Sequence, residues 1–169
     1  MTILLTAWHH CSPPLLSDHN RAVPLMFLNG TAMSGGPDHA PISSAPCLGP
    51  VGTAARYRFW SVRDEFPGVV PAWPGSSEGI AIRGELYDMS DRMLAEVLLP
   101  AEPAELELGT VELDDGEVVK SMILRPERLS PGDRVVDISA IGSWTTDQRF
   151  VADNLLSPNL AALRSPGRA

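Results

Sequence analysis

The run GTVELDDGEVVKSMIL, residues 109–124, leaves a chain little conformational choice. Two apolar-rich segments flank Asp114-Asp115-Gly116. Asp-Gly supplies the positive backbone angles that a tight turn between antiparallel strands demands, so a β-hairpin is predicted here. The rest of the chain must then build on a sheet.

Other segments carry the period of strands. In ARYRFWSV, residues 55–62, Tyr57 and Phe59 fall on one face and Arg56, Arg58 and Trp60 on the other, the alternation of a strand with one buried side. IAIRGELYDMS, residues 80–90, repeats the pattern, with Ile80, Ile82, Gly84 and Leu86 opposed to Ala81, Arg83, Glu85 and Tyr87. Ser90 is placed to cap a short helix, DRMLAEVLL, which Pro100 and Pro103 are expected to stop. DEFPGVVPAWPGSSEG, residues 64–79, reads as a loop because its three prolines cannot donate to a sheet ladder. A short strand around Val135–Ile138, a glycine bend before Trp144 and a closing helix capped by Thr146 complete the reading. Five to seven strands with two short helices make an α+β domain, a small mixed β-barrel.

MFLNGTAMSGGPDH, residues 26–39, sends an apolar strand into a glycine-rich loop. Such a loop is either a tolerant connection or a cradle whose backbone N–H groups face an anion or a polarised carbonyl. The partner classes narrow by charge. With 13 basic and 21 acidic residues, formal net charge −8, the chain is a poor nucleic-acid or anionic-lipid binder. Its two cysteines, Cys11 and Cys47, form no zinc-ligand spacing, so no metal or cofactor is expected, and a reduced, cytoplasmic setting is the default. Residues 1–25 lack periodicity and a secretory pattern and read as a disordered or loosely docked segment, with the domain at 26–152 and a tail at 153–169.

Several of these stretches together resemble a known fold. FLNGTAMSGG, ARYRFWSV, EFPGVV and GELYDMS are similar to the gamma-glutamylcyclotransferase fold, whose first strand ends in a tyrosine-glycine-threonine-leucine-methionine substrate loop; Asn29 stands at the tyrosine position and Ala32 at the leucine. LGTVELDDGEVVKSMIL followed by ISAIGSW resembles the C-terminal domain of allophanate hydrolase. The resemblance implies a cavity gathered from the first loop, Phe66-Pro67-Gly68 and the start of the hairpin. Asn29, Gly30, Thr31, Ala32 and Met33 would bind substrate there. The glutamate that cyclotransferases place after the middle helix has no clean counterpart in LLPAEPAELELG, where Glu102 and Glu105 are candidates for proton transfer and a solvated acidic turn is the competing reading.

His39 follows the glycine loop directly and is the histidine of the domain expected to titrate near neutral pH, which makes it the other acid-base candidate, against a plain exposed loop residue. Arg58, Arg83 and Lys120 are candidate anchors for a substrate carboxylate, or else surface charges; Glu85 either joins the site or pairs with Arg83. Two functions follow from the allophanate hydrolase resemblance. One is an enzyme of urea or amide nitrogen metabolism, acting on a small carboxylate or amide, because that domain is associated with decarboxylation of an N-carboxylated urea-like product. The other is a non-catalytic module that binds an amidase or forms a homo-oligomer. A gamma-glutamyl cyclotransferase is the third reading.

Overall fold

A computed structural model describes residues 24–75 and 78–148; the expectations for the N-terminal segment before residue 24 and for the tail from 153 lie outside the described residues. Among the described residues there are eight strands: β1 (Leu25–Leu28), β2 (Cys47–Gly52), β3 (Tyr57–Val62), β4 (Phe66–Pro71), β5 (Arg83–Asp88), β6 (Leu106–Glu112), β7 (Val118–Leu124) and β8 (Val135–Asp137). The class is α+β as expected, but the strands form two sheets rather than a closed barrel, a five-stranded one ordered β2-β5-β1-β7-β6 and a three-stranded one ordered β4-β3-β8. At the centre, β1 is antiparallel to β5 and parallel to β7. Met26, Phe27 and Leu28 are all buried, so the strand is covered on both faces, which explains a continuous apolar run in place of alternation.

The hairpin forms where the sequence places it. β6 and β7 pair from Leu106↔Leu124 to Glu112↔Val118, and Gly116 takes φ 89° in the turn. Tyr57 and Phe59 point inward from β3, 5% and 0% exposed. The count exceeds five to seven because two proline-bearing segments are strands. β4 was expected as a loop, yet it pairs along β3 with Pro67 opposite Ser61 and Pro71 opposite Tyr57. As an edge strand it needs N–H donors on one side only, and prolines four residues apart share the side facing away from the ladder. β2, the CLGPVG segment, is likewise an edge strand, on β5.

Helix α1 runs through Asp91–Met93, a widened π segment Leu94–Leu98, and Leu99–Ala101. The Ser90 side chain accepts the Met93 N–H at 3.2 Å, the expected cap. Pro100 does not stop the helix but sits in its last turn. Its ring would collide with the carbonyl one turn back, and the π turn just before it supplies the room, with the Leu99 N–H bonding the Leu94 carbonyl. The stop comes at Glu102, which is extended (φ −73°, ψ 145°), the conformation favoured for a residue before proline. The closing helix α2, described over 144–148, starts before Thr146, and the Asp147 N–H bonds the Ser143 carbonyl.

A partly buried hydrogen bond joins the two sheets, from the Glu112 N–H on β6 to the Tyr57 hydroxyl on β3 at 2.7 Å. Tyr57→Phe leaves that N–H without its acceptor, so a loss of about 1–2 kcal/mol is expected in urea denaturation. An unchanged midpoint would show that the contact is not a strut between the sheets.

Candidate active site

The loop after β1 folds back on itself through Met33 N–H to Gly30 O (3.2 Å), Gly36 N–H to Met33 O (2.8 Å) and Asp38 N–H to Thr31 O (3.1 Å). A second set of contacts pins it to β5. The Glu85 carboxylate accepts both the Ser34 N–H and the Tyr87 hydroxyl at 2.7 Å, while Ser34 Oγ and the Tyr87 hydroxyl share a bond of 2.8 Å. Burial, with Glu85 adding to it, pushes the Tyr87 phenol up, so it stays a neutral donor. These constraints leave the N–H groups of Gly30, Thr31 and Ala32 without an acceptor among the described residues. All three residues line a cavity of about 550 Å³.

The rest of the lining comes from two other places. The turn between β3 and β4 puts two successive non-glycine residues, Arg63 and Asp64, at φ 53° and 59°, the mirror-image turn that matches strand twist but crowds any side chain. Side chains hold it there. Arg63 bonds Glu65 and Glu105 at 2.9 Å each, reaches Asp133 at 3.2 Å and lies 5.2 Å from the Phe66 ring centre; Asp64 pairs with Arg134. Hydrogen bonds that Arg63 donates to Glu65 and then to Glu105 hold its guanidinium more firmly in the charged form. The remaining wall is the connection from α1 to β6, Glu102 to Glu105, which is fastened by the Arg125 N–H to the Glu105 carbonyl at 2.8 Å and by the Arg125 guanidinium to the Ala104 carbonyl. Glu102 lines the cavity, and burial, with the Asp38 charge adding to it, pushes its carboxyl up to about 7. Leu98, Ile42, Phe66 and Met122 supply apolar surface between the two walls.

The family model of the allophanate hydrolase C-terminal domain matches residues 24–149. The chain belongs to that family. Among solved structures it is similar to a uropathogenic Escherichia coli-specific protein, at 28% identity and TM-score 0.66, over 76% of this chain and 97% of that one. It also shares the fold of Kluyveromyces lactis allophanate hydrolase (22% identity, TM-score 0.68) and K. lactis urea amidolyase (22%, TM-score 0.69), covering 80% of this chain in each case. The chain spans only 22% and 8% of those two proteins. No curated protein matches it.

Within this allophanate hydrolase C-terminal domain, the residues singled out from sequence divide into two groups. Asn29, Gly30, Thr31, Ala32, Glu102 and Glu105 are brought together around the cavity, as are Phe66 and Pro67. The others point elsewhere. Met33 packs in the core, 7% exposed. His39 turns its Nδ1 to the Ala32 carbonyl at 3.0 Å, with its ring 6.0 Å from that of Tyr87, and does not line the cavity. Arg58 is taken by Asp137 and the Glu78 carbonyl, and Lys120 by Asp91 at 3.1 Å. Arg83 is exposed on β5, and Glu85 grips the loop rather than pairing with it.

Arg63, Glu65 and Asp38 are cavity residues that sequence reasoning passed over. The available signal was Arg63-Asp64 between two apolar runs, a turn position that becomes visible once FPGVVP is read as a strand. Among the described residues no group of three His, Cys, Asp or Glu side chains is placed to hold a metal ion.

Proposed function

We propose that this domain is a small-molecule enzyme acting on an N-carboxylated urea-like or amide compound, with the Asn29–Ala32 loop as anion cradle and Glu102 as the group that moves the proton. The observation that carries this reading is the half-buried Glu102 carboxyl, raised to about 7, lining the same cavity as three N–H donors without acceptors among the described residues. Family membership supports it: the fold occurs in allophanate hydrolase and urea amidolyase of K. lactis, proteins named for chemistry on urea-like compounds. In such a reaction the bond between the urea nitrogen and its carboxylate carbon breaks and carbon dioxide leaves. The electron pair stays on nitrogen, and Glu102 in its acid form supplies the proton that nitrogen takes. The donors of Gly30, Thr31 and Ala32 hold the remaining carbonyl oxygen, on which charge gathers as the bond breaks.

A second reading, a module serving a larger amidase, draws on one fact. In the K. lactis proteins the matched region is a minor part of a longer chain. Turnover separates the two. The enzyme reading expects the purified protein to release carbon dioxide from an N-carboxylated urea, ammonia from a primary amide or the free amine from a gamma-glutamyl amine. Inactivity on every member of these classes transfers the weight to the partner-binding reading.

A further inference from the structure

Two of the open N–H groups in the first loop, those of Thr31 and Ala32, are aimed by bonds made on the far side of their own peptide planes. In a planar trans peptide the carbonyl and the N–H that follows it point in opposite directions, so fixing one fixes the other. The Thr31 carbonyl accepts the Asp38 N–H at 3.1 Å, which turns the Ala32 N–H the other way. The Gly30 carbonyl accepts the Met33 N–H at 3.2 Å, which does the same for the Thr31 N–H. The next two planes are tied at both ends. His39 Nδ1 donates to the Ala32 carbonyl while the Met33 N–H keeps Gly30, and the Gly36 N–H donates to the Met33 carbonyl while the Ser34 N–H goes to Glu85. Every one of these bonds except the last runs between residues 30 and 39. They give the loop its shape, and removal of the His39 ring leaves its plane still held by Gly30.

The bond to Glu85 instead sets the loop's place against the sheet. Ala32 and Met33 are buried, but apolar packing holds the loop down without giving it direction. Glu85 and Tyr87 alternate onto one face of β5, and a single carboxylate oxygen, Glu85 Oε2, accepts both the Ser34 N–H and the Tyr87 hydroxyl at 2.7 Å, short charge-assisted bonds. The hydroxyl also meets Ser34 Oγ at 2.8 Å. Tyr87 is fully buried, so the grip is built on a part of the strand that cannot give way. Ser34, Glu85 and Tyr87 all lie outside the cavity lining. We propose that Glu85, braced by Tyr87, is a positioning residue that touches no ligand and sets where the open N–H groups of Gly30, Thr31 and Ala32 stand relative to Glu102. That role differs from the substrate contact for which its sequence position made it a candidate. The inference rests on the enzyme reading of the cavity and adds a residue to its machinery. Donors displaced by about 1 Å from a developing charge lose much of their effect on rate.

Two variants of the full chain test it. Glu85→Met keeps the reach of the side chain and removes the acceptor, whereas Glu85→Gln keeps one oxygen able to accept both bonds and removes only the charge. In the free protein, Glu85→Met is expected to speed amide hydrogen exchange at Met33, Ser34 and Gly36 by about tenfold or more, with the amides of β1 and β5 unchanged and the melting midpoint within about two degrees of wild type. On whichever N-carboxylated urea, primary amide or gamma-glutamyl amine the wild type turns over, its kcat should fall about tenfold to a hundredfold while KM changes by less than about threefold, and Glu85→Gln should recover most of the loss. The inference is overturned if Glu85→Met keeps its kcat, if the loop amides exchange as in wild type, or if β1 and β5 loosen together with the loop. It is equally overturned by a Glu85→Gln as slow as Glu85→Met, since the charge itself would then be acting. A wild type that turns over no member of these classes fails the enzyme reading instead, and the positioning role goes with it.

Discussion

Glu102→Gln is expected to lower kcat by two to four orders of magnitude on any substrate the protein turns over, the range for removing a general acid or base. It is also expected to make the protein more stable at pH 8. The two effects share a cause. Folded Glu102 holds its proton to about pH 7, whereas its ordinary value is 4.5, so between these pH values the folded state binds more protons than the unfolded one. Stability contributed by this site therefore falls as pH rises through that window. Glutamine has no charge to desolvate, so the variant should match the wild type near pH 4 and exceed it by up to about 3 kcal/mol above pH 7. His39→Ala is the control, and less than about a tenfold change is expected because the ring lies off the cavity. Steady-state rates with urea denaturation at pH 4 and pH 8 decide the matter. An active Glu102→Gln, or one that loses activity and stability together, removes Glu102 from the chemistry.

The second large effect is expected at Gly84, in the middle of the five-stranded sheet. A Cβ built there lies 2.2 Å from the Leu28 carbonyl oxygen and 2.7 Å from two ring carbons of Phe27. Neither neighbour can withdraw, since the carbonyl belongs to β1 and Phe27 is fully buried. Gly84→Ala should therefore cost more than the usual 1–3 kcal/mol of an overpacked site and lower the thermal midpoint by about 10 °C or more, if a cooperative transition survives at all. Because Glu85 follows directly and holds Ser34, the loop that carries the open N–H groups should loosen first. A melting curve within about two degrees of wild type would show that β1 and β5 can separate at this point, and the close approach would then carry no weight.

Much of this fold is legible in local pattern. The Asp-Gly turn, the alternation around Tyr57 and Phe59, and the Ser90 cap are governed by forces acting within a few residues, so they read directly. The misses have equally definite causes. FPGVVP looks unfit for a sheet until it is known to lie at an edge, where half its N–H groups face outward. Pro100 looks like a helix stop until the π turn before it is seen. Glu102 and Glu105 were visible as acidic residues in a proline-broken turn; that the same prolines extend Glu102 and deliver it to a cavity was not.

The sequence by itself determined the β6–β7 hairpin, the strands around Tyr57 and Leu86 and the Ser90 cap, which loop is rich in glycine, and which family the chain resembles. Each of these depends on the order of residues along a short stretch. Only the tertiary structure decided which charges meet. Arg63 reaches Glu105 across 42 residues, Glu85 holds the amide of Ser34 across 51, and His39 is turned away from the cavity by a carbonyl of its own loop. The protonation of Glu102 follows from such meetings, because a carboxyl's pKa is set by the water it loses and the charges it faces, and neither is encoded in its neighbours along the chain.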